Sequence, residues 1–477
     1  MKFNTLLKRA ARGNTTNLAG GLAFTQSPKS ELASILLTAT LGDQFYRSGD
    51  ATAARVKELV AATDDKAFVA KAAIYARNQA GMRSVSHLVA AELARGVKGA
   101  VWTKRFYDLV VRRPDDVLEI LACYLASYQR PIPNALKKGL GAALARFDEY
   151  QLAKYRRDSA ELKMVDAVNL LHPPHSAALR KLMRGELAPA ETWETKLTQA
   201  GARGETDEEV AELKSAAWDE LIASRKLGYF ALLRNLRNIL EQAPQCVEAA
   251  LAMLVDDRLI AKSLVLPFRY LTALEAVQAS NLPRAGDVLA ALSEAADKSL
   301  ANVPRFAGRT LVALDGSGSM KGRPLAIGSL FAAVLAKANA QANTLVFSND
   351  ASFVTLNRRD STLTLARQIA ERAPHGGTNF RAIFERADYA YERIVILSDM
   401  QGWIGRDAPT AAFATYKQRT GADPHVFSFD LAGYGTLQFP ERNVSCLAGF
   451  SDKALQTMRF LEEDKSALLH EIEAINL

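Results

Sequence analysis

Cysteine is scarce: Cys123, Cys246 and Cys446 are the only three in 477 residues. An odd number at such wide separations argues against a disulfide framework and a zinc site. Thiols left unpaired fit a reducing compartment, so a cytoplasmic location is expected. Long apolar runs are missing as well. No stretch approaches the ~20 apolar residues of a membrane span, and no membrane partner is expected. Met1 to Arg12 is basic like the start of an export signal, but residues 13–21 are small and polar, with no apolar run after them. Alternating β-type patterns are absent from the first three hundred residues, which leaves helices as the local structure there.

Charge is present but unevenly placed. Arg305 to Leu477 holds 19 basic and 18 acidic residues, which leaves 41 and 34 of the chain's 60 and 52 to the first 304. The basic excess therefore belongs to the N-terminal part, which argues for a polyanionic partner. Helices are expected at Leu32 to Phe45, Ala51 to Ala62, Ala67 to Ala80, Asp116 to Tyr128, Asn134 to Phe147, Glu208 to Ala223 and Tyr229 to Gln242. Each carries apolar residues at three- and four-residue spacing between Pro, Gly, Asp or Ser boundaries. Successive helical hairpins over this length suggest an α-solenoid of the HEAT kind.

From Arg309 the texture alternates. Strands are expected at Thr310 to Leu314, Thr344 to Phe347, Arg393 to Leu397, His425 to Phe429 and Val444 to Leu447. Between and after them come helices at Pro324 to Ala338, Leu363 to Ala373, Asn379 to Tyr389, Pro409 to Thr420 and Asp452 to Glu473. Such alternation is the sign of a doubly wound parallel sheet. The chain thus divides into a basic segment at 1–19, an all-α helical-repeat domain at 20–304 and an α/β domain at 305–477. Pro304 and Gly308 mark the last boundary.

The α/β part carries the sharpest chemical pattern. The run Leu311-Val312-Ala313-Leu314 ends in Asp315-Gly316-Ser317-Gly318-Ser319, one carboxylate and two hydroxyls at two-residue spacing. His375-Gly376-Gly377-Thr378 offers another hydroxyl, and Ile394 to Leu397 leads into Ser398-Asp399. In doubly wound sheets ligands gather at the carboxyl ends of parallel strands, so three loops can converge on one ion. An all-oxygen set of this kind suits Mg²⁺. No general base or nucleophile adjoins these residues, the P-loop spacing is not met, and His375 is given no catalytic role.

The same residues, in this order, resemble the metal-ion-dependent adhesion site of von Willebrand factor A domains. The resemblance implies that Ser317, Ser319 and Thr378 offer hydroxyls to the metal, while Asp315 and Asp399 bind directly or through water. Asn379 departs from the pattern, since relatives commonly carry an acidic residue there.

The richest positive segment runs from Pro131 to His175. Lys137 and Lys138 sit side by side on a helix, Lys154-Tyr155-Arg156-Arg157 follows Phe147 and Tyr150, and Lys163 precedes Leu170-Leu171-His172-Pro173. Cations interleaved with tyrosines suit phosphate contacts and base stacking, though a solvated helix face has the same composition. Arg234 and Arg237, beside Asn235 and Asn238, could place four polar groups on one helix face, or could pair with neighbouring helices. Arg83, Lys104, Arg105, Arg112 and Arg113 are further cations whose facing sequence does not give.

Asn134 to Leu140, Lys154 to Arg157 and Asp166 to Pro173 resemble the core signatures of the TROVE domain of Ro 60 kDa autoantigens. Trp218 to Leu221, Ala231 to Leu236 and Pro267-Phe268-Arg269 extend the likeness in the same order. With the adhesion-type module the resemblance covers roughly Gly20 to Leu477.

It implies a closed ring of HEAT-like helices whose ends the A domain brings together. The outer basic surface would bind small noncoding Y-like RNA, and the central hole single-stranded ends of misfolded RNA, for RNA quality control without enzymatic activity. Lys154 and His172 match the family's outer-surface residues. Arg156 or Arg157 is the third, because the spacing to His172 is one residue longer here. A monomer is expected, with an exoribonuclease such as polynucleotide phosphorylase as a candidate partner. The rival reading is a cytosolic protein-binding scaffold that uses the metal to capture an acidic partner.

Overall fold

The computed structural model describes residues 15–17, 20–23, 27–38, 49–97, 99–129, 131–156, 160–402, 409–431, 444–448, 455, 458, 462 and 467–477. The chain forms two compact units, one of residues 53–302 with 472–477 and the other of residues 1–52 with 303–471. The second division falls between residues 302 and 303, close to Pro304. The first does not follow the boundary read at 19/20. Residues up to 52 group with the α/β unit, because helix Pro28–Thr38 packs on that unit's last strand.

The larger unit is built from helices packed on one another. Lys66–Asn78 packs on Ser84–Gly96, which packs on Pro114–Tyr128; Thr103–Val110 packs on Asn134–Ala145; Phe268–Gln278 packs on Ala285–Lys298. Local chemistry sets the helix starts. Asp65 accepts from the Phe68 N–H at 2.9 Å, and Asp148 and Gln151 form a reciprocal capping box.

The apolar faces then lock together. Tyr107 is fully buried and its hydroxyl donates to Ala90 O at 3.1 Å. Its ring lies directly on Gly139, where a Cβ would come within 2.2 Å of Tyr107 Cδ2. Only glycine lets the two helices approach this closely. Trp218, also fully buried, stacks on Trp193 with centroids 6.2 Å apart and donates from Nε1 to Gln242 at 3.1 Å.

Pro114–Tyr128 also carries a buried ionic cluster. Asp116 is completely buried and accepts from Arg77 and from Arg83 Nε, each at 2.8 Å, and from the N–H groups of Arg112 and Arg113. The His87 ring lies between Asp116 and Glu119, at 3.3 and 2.9 Å.

In the α/β unit, β1 (Thr15–Thr16) and β2 (Leu22–Ala23) form a small antiparallel pair, a β element that the sequence did not announce. The main sheet follows: β3 (Thr310–Asp315), β4 (Ala342–Phe347), β5 (Ala351–Val354), β6 (Arg393–Ser398), β7 (His425–Asp430) and β8 (Val444–Ala448). Their spatial order is β5-β4-β3-β6-β7-β8, parallel throughout except for the antiparallel edge strand β5.

Alternate residues of β3, β4 and β6 face opposite sides, so nearly continuous apolar strands bury both. Leu311, Ala313, Leu345, Phe347, Ile394 and Ile396 join Phe384, Phe413 and Tyr416 of helices Arg381–Arg386 and Thr410–Thr420. On the opposite side Leu314 meets Arg323–Ala338, whose Gly328 would place a Cβ 2.6 Å from Leu314 Cδ1. The carboxyl ends of β3 and β6, adjacent strands, therefore open at one edge of a sheet covered on both faces.

Candidate functional site

Asp315 closes β3, and Asp399 follows directly on β6. Both are buried, as are Ser317, Ser319 and Thr378. Asp315 Oδ1 accepts from the Ser317 N–H at 2.8 Å, and its Oδ2 accepts from the Ser398 hydroxyl at 2.6 Å. The Ser317 and Ser319 hydroxyls lie 3.2 Å apart.

The glycine loop is laced to this turn. Gly318 N–H donates to Gly376 O at 2.9 Å, and His375 N–H to Gly316 O at 2.8 Å. On its other side, Ser348 donates its hydroxyl to Gly377 O at 2.9 Å, and the Gly377 N–H donates to Asn349 Oδ1 at 2.8 Å. Three loops thus bring the five sequence-chosen residues together. Asn379 turns elsewhere: its Nδ2 donates to Asn349 O at 3.0 Å and its Oδ1 accepts from the Arg381 N–H. The backbone of His375 is tied to Gly316 with a positive φ of 57°, a positioning role for that residue.

The electrostatics of the site suit a cation. Burial pushes the Asp315 carboxyl up, and the neighbouring Asp399 charge pushes it further, to about 7, against the bonds from Ser398 and Ser317. Burial likewise raises Asp399, while Ser319 and the Gln401 N–H oppose the shift. Asp399 Oδ2 is buried without a hydrogen bond of ordinary geometry. Two like charges in a dry site, with one orphaned oxygen and three nearby hydroxyls, fit a hard divalent ion.

On the helical unit, Lys138, Lys154, Arg156, Lys163, His172, Arg234 and Arg237 are exposed and Lys137 is half-buried; Arg157 lies outside the described residues. Lys137, Lys138, Lys154, Lys163, Arg234 and Arg237 form no ion pair among the described residues. Lys181, Lys196, Arg284 and Lys298 of the same unit do, with Glu149, Glu220, Glu248 and Glu294.

Lys154 Nζ sits 5.8 Å from the Tyr150 ring centroid and 5.7 Å from that of Tyr155, and Arg113 lies over Tyr155 at 4.9 Å. The helix bearing Lys154 is joined to Ala177–Arg184 by the Lys181–Glu149 pair at 2.8 Å. Beside that helix, His172 in a left-handed C-cap lines a cleft of about 570 Å³ together with Asn169, His175 and Arg180.

Other cations are spent inward. Arg83 and Arg113 both pair with Asp115, and Arg83 also with Asp116 and Glu119. Asn235 is buried and bonded to Ala231 O and Asn238, so it does not join Arg234 and Arg237 on their face. Exposed Phe230 stands one helical turn before Arg234 instead.

The TROVE domain family model matches residues 31–186 and 179–311. The chain belongs to this family. This TROVE protein is 25% identical over 505 residues to the RNA-binding protein RO60 of Deinococcus radiodurans, spanning 93% of this chain and 94% of that one. The crystal structure of the Deinococcus radiodurans RO (RSR) protein shares its fold, with a TM-score of 0.65, 20% sequence identity, and coverage of 94% and 99% of the two chains. A rat protein, telomerase protein component 1, is 23% identical over 341 residues; the TROVE chain spans only 13% of its length.

Sequence reasoning missed the tyrosine packing around Lys154, although the interleaved Tyr150 and Tyr155 signalled it. It also missed Asn349, whose side chain holds the glycine loop; no spacing rule marks it.

Proposed function

We propose that this TROVE protein is a non-enzymatic RNA-binding protein of the Ro type. It binds small noncoding Y-like RNA on the exposed basic surface around Lys154, Arg156 and His172. It takes single-stranded RNA ends in the opening that the resemblance implies. Recognition rests on charge and shape, because A-form RNA hides its base edges in a deep, narrow groove. The carrying observation is that Lys154, on an exposed face shared with Tyr150 and Tyr155, has no carboxylate partner among the described residues, so its charge is free for phosphate. The match to the Deinococcus RNA-binding protein over nearly the whole length supports the reading.

Mg²⁺ is the metal proposed for Asp315, Ser317, Ser319, Thr378 and Asp399. It would supply charge neutralisation for the two carboxylates and an open coordination position. The chain's own residues orient it: Ser398 fixes Asp315, and the Gly376–Gly377 backbone fixes Thr378. Filter binding of a structured small RNA to the Lys154→Ala, Arg156→Ala, Arg157→Ala triple variant tests the surface assignment. The expected result is at least tenfold weaker binding, consistent with three lost phosphate contacts. Unchanged affinity across a salt titration refutes it.

A further inference from the structure

A cleft of about 710 Å³ lies where helices Ser84–Gly96 and Pro114–Tyr128 end and Asn134–Ala145 begins. Arg95, Tyr124, Tyr128, Pro131, Pro133 and Asn134 form its walls. The two tyrosines pack with centroids 5.4 Å apart, and both are pinned. Tyr124 donates to Pro131 O at 3.0 Å and Tyr128 donates to Glu92, which Lys57 holds at 3.7 Å. The Arg95 guanidinium lies over the Tyr128 ring at 4.5 Å. It is exposed and makes no ion pair among the described residues.

Among the described lining residues none is a carboxylate, and Arg95 is the one charged side chain. Its volume lies in the range of small-molecule sites and admits a nucleotide. A guanidinium lying over a pinned aromatic ring offers a positively charged platform. Unpaired bases stack on such planes, whereas bases inside a duplex cannot reach them.

We infer that this cleft is a stacking subsite for a base of single-stranded RNA, with Arg95 as the platform and its charge drawing the flanking phosphate. The inference rests on the RNA-binding reading and adds where an unpaired base is held, at a place remote in sequence from Lys154 and His172.

The test is fluorescence anisotropy of a labelled oligouridylate with the full chain, beside a blunt RNA duplex as reference. Arg95→Ala is expected to weaken oligouridylate binding about tenfold, the scale of one base stack, and to leave duplex binding unchanged. Arg95→Lys keeps the charge but loses the plane, so it is expected to weaken the oligomer nearly as much.

If the unaltered chain binds neither RNA, the RNA reading itself fails and the subsite with it. Should the unaltered chain bind while Arg95→Ala matches it, only the subsite is overturned. Full rescue by Arg95→Lys would leave a charge contact and overturn stacking. Displacement of the oligomer from the cleft by a proline-rich peptide and not by uridine monophosphate would assign the aromatic walls to a protein partner and overturn the inference equally.

Discussion

Ser398, the last residue of β6, donates its hydroxyl to Oδ2 of Asp315, the last residue of β3, across 2.6 Å. The bond spans adjacent strands and fixes one carboxylate of the candidate metal site, while Asp399, the next residue, keeps a buried oxygen without a hydrogen bond of ordinary geometry.

Asp399→Asn separates charge from shape at this site. In the metal-free protein it removes one of two buried like charges, so the variant is expected to melt at or above the temperature of the unaltered chain in EDTA. With Mg²⁺ the order reverses. An ion at a hundred times its Kd stabilises by about 2.7 kcal/mol, and the variant should lose most of that gain. Thermal melts with and without Mg²⁺ check both signs.

Gly316→Ala should disturb the site without touching a ligand. A Cβ there meets Pro374 Cδ at 2.9 Å and Ala373 Cα at 3.0 Å, so the glycine loop must retreat from the Asp-x-Ser-x-Ser turn. Overpacking of this kind costs roughly 1–3 kcal/mol, and the Mg²⁺-dependent rise in melting temperature should shrink with it.

Asp116→Asn is expected to destabilise the helical unit by about 3 kcal/mol or more, because Arg77, Arg83 and His87 would lose their buried anion. Burial alone would push the Asp116 carboxyl up. The hydrogen bond and charge of His87, with Arg77 and the Arg112 N–H, instead hold it far below the usual range. A depressed carboxylate contributes stability above its unfolded pKa of about 4 and loses it as pH falls further. Acid titration of the unaltered chain should therefore fall more steeply below that pH than titration of the variant, as urea midpoints would record.

Arg234→Ala with Arg237→Ala should leave stability within about 0.5 kcal/mol, since both are exposed and unpaired among the described residues. If this face meets single-stranded RNA, the slope of log affinity against log salt should fall by about 0.7 per lost phosphate contact. Filter binding over a salt series reads it.

Much of the α/β unit was legible. Apolar runs placed the starts of β3 and β6 at Thr310 and Arg393, where they occur, and their polar ends marked Asp315 and Asp399. Edge strand β5 escaped because four residues after the Ser348-Asn349-Asp350 turn carry too little pattern. Helix Tyr229–Gln242 matched its expected bounds, yet Asn235 was assigned to the wrong face. One residue past Arg234 turns about 100° around a helix, which carries Asn235 into the core.

The Asp116 cluster was hidden for another reason. Asp115 and Asp116 in a first turn are what any helix dipole favours and so mark nothing special, and the partners Arg77, Arg83 and His87 come from positions far back in the chain. Facing, rather than composition, decides which cations reach solvent.

The central claim is that exposed cations of the helical unit hold RNA through its phosphates. The most direct measurement is the affinity of the purified chain for a structured small RNA as a function of salt. The account predicts a linear fall of log affinity with log salt, its slope set by several phosphate contacts and reduced in the Lys154, Arg156 and Arg157 triple alanine variant. Affinity that is absent, or that stays flat as salt rises, would contradict it.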